Sequence, residues 1–154
     1  MMTTTRRPLI AVAVLFALIL GFNTVAAPTP AIAAATDVST ILAKTNAARA
    51  ANGLPALKQN AEMNAVADRW AKAMGAAQKM SHNLNYSKQI PKGWTRAGEN
   101  VAAGYSSGNV VTAWMNSPGH RANILNKGYT DIGIGFFKDA KGRTWIVQNF
   151  AQYR

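Results

Sequence analysis

The sequence contains no cysteine, although its N-terminal part has the layout of an export signal. Arg6 and Arg7 precede an uncharged apolar run at residues 9–22, and small residues follow as far as Ala35. This order of basic, apolar and small residues is typical of a secretory signal peptide with an A-x-A cleavage site. Small exported domains are often cross-linked by disulfides, so this one has to be held together by packing alone.

The sequence therefore predicts a signal peptide over residues 1–35 and one exported domain over residues 36–154. The apolar run at residues 9–22 is shorter than the roughly 20 residues that span a bilayer. We expect a secreted protein without a stable membrane anchor, and a retained N-terminal anchor is the alternative.

The chain is strongly basic, with 17 Lys and Arg against 6 Asp and Glu. Loss of Arg6 and Arg7 leaves 15 basic and 6 acidic residues, so the exported domain carries a net charge of about +9. This balance favours polyanionic partners such as cell-wall polymers. The basic residues are scattered, and basic motifs with interleaved aromatic residues are absent, so we do not expect nucleic-acid binding.

Two amphipathic helices are predicted in the first half of the domain. Apolar residues at a spacing near 3.6 predict a helix over residues 38–51, which Gly53 ends. Asn60 is a suitable N-cap for a second helix that runs to about Met80. Residues 83–95 contain proline, glycine and many polar residues, and we interpret them as a loop.

Two shorter helices and three extended segments are predicted in the second half. Residues 96–103 are interpreted as extended, and Asn109 is positioned to cap the helix that follows. That helix has to break near Pro118, because proline fits poorly inside a helix. Ser117 is then the N-cap of a second short helix with Pro118 at its first position. The role of a cap argues against Ser117 as a nucleophile.

The last part of the chain is predicted to be a β-hairpin, with strands at residues 131–137 and 143–152 joined by a turn at residues 138–142. Gly133 and Gly135 alternate with isoleucine in the first strand, which indicates close backbone packing on one face. The element order predicts an α+β fold in which helices pack on a sheet.

The chemistry-bearing residues are few, because the chain has only two histidines, His82 and His120. With Glu99 they offer two imidazoles and one carboxylate, a reasonable set for a catalytic zinc with an open position. The alternatives are a metal-free Glu99–histidine pair that polarises water, and histidines that serve structure by bonding Glu99, Ser117 or backbone. There is no H-E-x-x-H spacing, so the sequence does not fix the geometry.

Several aromatic and amide side chains are candidates for lining a ligand site. Aromatic walls suit a small apolar ligand or a glycan, but a core position is the stronger interpretation for two of the four aromatic residues, Trp114 and Tyr129. Two amides are candidates for orienting a polar group, and satisfying buried backbone is their stronger interpretation. The candidate aromatic residues are Trp94, Tyr105, Trp114 and Tyr129, and the amides are Asn100 and Gln148.

Six groups of motif residues are spread over nearly the whole exported domain. They are Asn46-x-x-Arg49 with Gly53-Leu54-Pro55-x-Leu57, His82, Gly98-Glu99-Asn100-Val101, the block at residues 114–125 (WMNSPGHRANIL), Ile132-Gly133-Ile134-Gly135, and Val147-Gln148-Asn149-Phe150. Together they resemble the bacterial branch of the CAP superfamily, which groups cysteine-rich secretory proteins, antigen 5 and plant pathogenesis-related proteins.

The resemblance implies a three-layer α-β-α sandwich with a central, mainly antiparallel sheet. It also implies a cleft that in many eukaryotic members is lined by two histidines and two acidic residues. The matching motifs place His82, Glu99 and His120 at three of these four positions. Ser117 stands where the second carboxylate is expected, so the tetrad is incomplete, and the cleft is predicted to comprise His82, Glu99, Asn100, Ser117 and His120.

The resemblance further implies an extracellular binding or interaction module that requires no cofactor. His82 and His120 are the expected ligands of a weakly bound divalent metal such as Zn²⁺. The expected partner is a small apolar ligand or a cell-wall polymer, and a monomer is expected. The alternative is a hydrolase, such as a zinc-assisted peptidase, with Glu99, His82 and His120 as its candidate catalytic residues. A weaker alternative is a basic protein that binds wall polymers or lipid without using the cleft.

Overall fold

The computed structural model describes residues 29–153. The predicted apolar run at residues 9–22 lies outside this part of the chain, and the division of the chain at Ala35 stays a prediction. The first helix, α1 (Pro30–Ala50), begins well before the predicted start at residue 38. It starts early because Thr29 accepts a hydrogen bond from the backbone N–H of Ile32 and Pro30 occupies the first turn, where a missing N–H costs nothing.

The predicted helices and strands are present, with two additional short elements. After α1 the order is β1 (Lys58–Gln59), α2 (Ala61–Ala77), α3 (Tyr86–Gln89), β2 (Trp94–Ala103), α4 (Val110–Met115), α5 (Pro118–Ile124), β3 (Asp131–Lys138) and β4 (Thr144–Tyr153). The prediction of an uninterrupted loop over residues 83–95 is wrong, because α3 lies within it and β2 begins before its end. Ile90 is buried in a cluster with Met63 and Val66 of α2, which holds this segment against the core.

The four strands form one sheet in the order β1-β3-β4-β2. β1 pairs with β3 in parallel, and the other neighbours are antiparallel. Helix α2 packs on one face of the sheet, whereas α1, α4 and α5 lie over the other face. The predicted α+β fold, a three-layer α-β-α sandwich with a mainly antiparallel sheet, is confirmed.

Side chains of β4 alternate between the two faces, as the period of a strand requires. Trp145 and Val147 pack against α2, and Ile146 and Phe150 join the core on the opposite face. The sheet and α2 approach closely at two glycines of β3. A Cβ added to Gly135 would lie 2.3 Å from the backbone carbonyl atoms of Ala67, so the predicted close packing is confirmed.

A buried arginine ties α1 to α5 and to the segment that leads into β3. The guanidinium of Arg49 donates to the backbone oxygens of Pro55 (2.9 Å), Ile124 (2.8 Å), Asn126 (2.9 Å) and Tyr129 (3.4 Å). Ile124 ends α5, where the helix dipole favours a cation. Arg49 therefore fixes the position of the helix that carries His120.

Candidate functional site

Glu99 lies in β2, an edge strand of the sheet, and its side chain is only 2% exposed. Its Oε1 accepts a hydrogen bond from the backbone N–H of Asn83 at 2.9 Å and lies 2.8 Å from Nδ1 of His82. Its Oε2 is buried and has no hydrogen-bond partner within residues 29–153. One carboxylate oxygen therefore contacts both His82 and Asn83 and holds the start of the segment that follows α2 against β2.

His120 lies in the first turn of α5, and its Nδ1 is 2.8 Å from Oγ of Ser117. Ser117 occupies the N-cap position, as predicted, but its side chain makes no capping hydrogen bond. The expectation that the Ser117 side chain caps the helix is therefore wrong, because its hydroxyl bonds the imidazole instead. Asn109 at the start of α4 likewise makes no side-chain capping bond.

A chain of buried amides holds α5 against the sheet. Asn100 donates to the backbone oxygen of His120 and to Oε1 of Gln148, both at 3.2 Å. Gln148 in turn donates to Oγ1 of Thr45 in α1 at 2.8 Å. The amides of Asn100 and Gln148 thus bond groups inside the protein, in line with the stronger interpretation of both residues.

Sequence reasoning missed Asn123, which protects the free edge of β2. Its Nδ2 donates to the backbone oxygen of Glu99 at 3.1 Å and to Oδ1 of Asn100 at 2.9 Å. The indole of Trp114 similarly donates to the oxygen of Val101 at 3.2 Å. The only sequence signal for Asn123 is its place in the 114–125 block, since an asparagine on a short helix has no distinctive pattern.

The four candidate aromatic residues are not gathered around Glu99. Trp114 and Tyr129 are buried, which confirms their interpretation as core residues. Trp94 and Tyr105 are exposed, but they lie at opposite ends of β2. Two grooves of about 450 and 500 Å³ run between α1, α2 and β3, and neither is lined by His82, Glu99 or His120. The candidate site, here called the His–Glu site (His82, Glu99, Ser117 and His120), is therefore a polar surface at the edge of the sheet.

Burial shifts the titration of the two inner members of the His–Glu site. It raises the pKa of Glu99, against the opposing effects of the bonds from His82 and Asn83 and of the charge of His82. Burial also lowers the pKa of His120, and the charge of His82 lowers it further. Both shifts favour the neutral side chain, so His120 is an uncharged imidazole at neutral pH.

The donors of the His–Glu site do not form a complete zinc centre. Within residues 29–153 no three His, Asp or Glu side chains are arranged to hold a metal ion. Oε1 of Glu99 is taken by two hydrogen bonds and Oε2 is buried, so only the two Nε2 atoms of His82 and His120 remain as ligands. Catalytic zinc sites take three protein ligands, so these residues do not fit one.

Replacement of Glu99 by Gln is expected to stabilise the protein at pH 7.5 by roughly 1 kcal/mol, because a buried charge with one unpartnered oxygen is removed. The sign follows from the raised pKa of Glu99. The ionised carboxylate is disfavoured in the folded state, so wild-type stability falls as the pH rises through the unfolded value near 4.5. Urea denaturation at pH 4 and 7.5 measures the effect. The advantage of Glu99→Gln should shrink at pH 4, and a variant less stable than wild type at pH 7.5 contradicts the prediction.

Comparison with known proteins agrees with this architecture. The chain matches the family described as "CAP: Cysteine-rich secretory protein family" over residues 42–150. It is 51% identical over 53 residues to the uncharacterised protein YkwD of Bacillus subtilis (strain 168), a match that covers 34% of this chain and 20% of that protein. The chain thus spans only a fraction of the length of this curated relative.

Two solved structures are similar to the fold. An outer surface protein from Borrelia burgdorferi has a TM-score of 0.72 at 22% identity, covering 77% of this chain and 94% of that one. An extracellular protein containing an SCP domain from Bacillus anthracis has a TM-score of 0.69 at 27% identity, covering 82% of this chain and 45% of that one. The family match extends over most of the described residues and includes every member of the His–Glu site. The chain belongs to the CAP family, the cysteine-rich secretory protein family.

Proposed function

We propose that this chain is an extracellular binding protein, and that it binds a polar fragment of a cell-wall polymer at the His–Glu site. The observation that carries the proposal is the use of Nδ1 in both imidazoles for internal contacts, with Glu99 in one case and Ser117 in the other. Neither Nε2 atom has a hydrogen-bond partner within residues 29–153, and the His82 side chain is 56% exposed. Two fixed imidazoles with free Nε2 atoms suit the hydroxyl, amide and carboxylate groups of such a polymer.

Several features favour binding over catalysis. The carboxylate of Glu99 is buried and committed to His82 and Asn83, so it is poorly placed to take a proton from a substrate. The exported domain is basic, which attracts an anionic polymer to its surface. The similar proteins from Borrelia burgdorferi and Bacillus anthracis are described as outer surface and extracellular proteins, in keeping with an extracellular location here.

No helix within residues 29–153 is long and apolar enough to cross a membrane.

Calorimetric titration with soluble peptidoglycan fragments tests the proposal. His82→Ala and His120→Ala should each weaken binding by about tenfold, because each removes one hydrogen bond to the ligand. Lys58→Ala is the matched control, since Lys58 is exposed on β1, at the opposite edge of the sheet from Glu99, and should leave the affinity unchanged. Binding that survives both histidine variants but disappears at high salt would show that the basic surface binds and the His–Glu site does not.

A second candidate is a serine hydrolase, which the 2.8 Å contact between Oγ of Ser117 and Nδ1 of His120 favours. A neutral His120 is able to accept the Ser117 proton as the hydroxyl attacks a carbonyl carbon. Nucleophile pairs are usually oriented by a third group, and within residues 29–153 no carboxylate bonds Nε2 of His120. A fluorophosphonate probe distinguishes the two functions. Labelling of the wild type that is lost in Ser117→Ala would favour the hydrolase, and the binding function predicts no labelling of either.

Zinc binding is tested separately, by calorimetric titration of Zn²⁺ at pH 6 and pH 7.5. The remaining ligands, Nε2 of His82 and Nε2 of His120, predict at most weak binding, which falls at the lower pH because zinc binds the neutral form of an imidazole. His120→Ala should abolish it. Tight binding that survives this variant would mean that other residues hold the metal.

A further inference from the structure

An exposed segment beside the His–Glu site combines apolar and basic side chains. This segment, here called the rim segment, comprises residues 79–96. Leu84 is 89% exposed, Met80 51% and Trp94 36%, which makes them three of the five large hydrophobic side chains that stand out from the described surface. Single exposed apolar residues need no explanation, but several on one segment mark an interaction surface.

Local hydrogen bonds turn these apolar side chains outward. The backbone of this segment is fixed at two points, since the oxygen of Ser81 accepts from the Trp70 indole at 2.9 Å and the N–H of Asn83 is bonded to Glu99. Asn83 is buried, whereas Met80, Ser81, His82 and Leu84 are exposed. Because the backbone is fixed at Ser81 and Asn83, the flanking side chains of Met80 and Leu84 are held at the surface.

The same segment continues past α3 to Trp94. The Trp94 indole donates to the backbone oxygen of Ser87 at 3.1 Å, so its ring lies against α3. Leu84 precedes this short helix, and the N–H of Tyr86 bonds the oxygen of Asn83 to form its first turn. Leu84 and Trp94 therefore flank one four-residue helix and lie on neighbouring parts of the surface.

The charges of the rim segment are all positive. Between Asp68 and Glu99 the sequence contains no acidic residue, and Glu99 itself is buried beneath the segment. Four basic side chains of the segment are exposed, namely Lys79, Lys88, Lys92 and Arg96. These cations alone would be sufficient to attract an anionic polymer. The exposed Leu84 and Met80 add a requirement for hydrocarbon, and tryptophan favours the boundary between hydrocarbon and water.

We infer that the rim segment is a docking surface for an anionic bilayer, in which Leu84, Met80 and Trp94 enter the interfacial region while Lys88 and Lys92 contact acidic headgroups. Peripheral membrane proteins combine these two contributions, and neither alone gives firm attachment. Docking in this orientation places His82, and with it the His–Glu site, at the membrane surface. The inference concerns the rim segment alone and holds whether or not the His–Glu site binds a wall polymer.

A spin label at position 84 tests insertion in the full chain. Because the chain has no cysteine, Leu84→Cys carries a unique label, and Ala43→Cys on the exposed side of α1 is the matched control. With phosphatidylglycerol vesicles, the label at position 84 should become accessible to oxygen and shielded from a water-soluble relaxation agent. The label at position 43 should not change. A label at position 84 that stays in water, or two labels that change alike, overturns the inference. The accessibility of the label at position 84 does not depend on whether residues 1–28 also attach the chain to the membrane.

Paired charge reversals test the headgroup contacts. Lys88→Glu with Lys92→Glu should weaken vesicle binding by at least about 25-fold, since each cation near an anionic surface contributes roughly fivefold. Lys44→Glu with Lys141→Glu changes the net charge equally and should weaken binding far less. Equal losses in the two pairs overturn the inference in favour of general attraction. Binding of soluble polyglycerol phosphate through Lys88 and Lys92, with the label at position 84 still in water, overturns it in favour of a wall polymer.

Discussion

Arg49→Ala should lower the free energy of unfolding by about 3–5 kcal/mol, a large part of the stability of a domain of this size. The guanidinium is fully buried and donates to backbone oxygens of Pro55, Ile124, Asn126 and Tyr129. Its removal leaves these carbonyls without their donor in the interior, and each buried carbonyl that loses its partner costs about 1–3 kcal/mol. Burial lowers the pKa of Arg49, and the four carbonyl oxygens replace the water that would otherwise solvate its charge.

Urea denaturation with two further variants separates the hydrogen bonds from the charge. Arg49→Lys keeps the charge but lacks the planar guanidinium with its several N–H donors. It should therefore recover only part of the lost free energy of unfolding. Arg96→Ala removes an exposed arginine and should cost less than about 0.5 kcal/mol. If Arg49→Ala is no more destabilising than Arg96→Ala, then Arg49 does not hold α5 in place.

Gly135→Ala should destabilise the protein by about 3 kcal/mol or more, because the added methyl group would meet backbone. Its Cβ would lie 2.3 Å from the carbonyl carbon and oxygen of Ala67 and 2.5 Å from the nitrogen of Asp68. Overpacking against mobile side chains costs about 1–3 kcal/mol, and helix backbone yields less readily than a side chain. Helix α2 therefore has to move away from β3, which opens the core on that face.

The matched control is Gly119→Ala, since a Cβ at Gly119 meets no atom within 4 Å and the residue does not have a positive φ. It should be neutral or slightly stabilising, as Gly→Ala substitutions in helices are. Thermal denaturation followed by circular dichroism compares the two variants, and failure of Gly135→Ala to fold counts as the predicted loss. A Gly135→Ala protein as stable as Gly119→Ala would contradict the close approach of α2 to the sheet.

The sequence predicts most of the architecture because periodicity, caps and glycines report local preferences. Asn60 illustrates this, since its side chain accepts from the N–H groups of Glu62 and Met63 at the start of α2, as its position predicts. The alternation of Trp145 and Ile146 likewise assigns the two faces of β4 correctly. Such signals depend only on neighbours in the chain, which a single sequence contains.

The contacts that position the His–Glu site were less accessible to prediction because they join distant residues. Arg49 lies near the end of a helix whose apolar stripe gives no hint that this charged residue is buried, and three of its four acceptors lie more than seventy positions away. Glu99 likewise bonds His82 and the N–H of Asn83, which lie 17 and 16 positions before it. Local propensity predicts where a helix begins, whereas the hydrogen-bond partners of these polar side chains depend on the tertiary fold.

The most direct test of the binding function is the NMR spectrum of the two imidazole rings during addition of soluble peptidoglycan fragments. The chain has only His82 and His120, so one histidine variant assigns both signals. A shared site predicts that both signals move along one saturation curve at pH 7.5, where His120 is neutral. Signals that stay fixed while the fragments bind elsewhere would contradict a role for the His–Glu site in recognition.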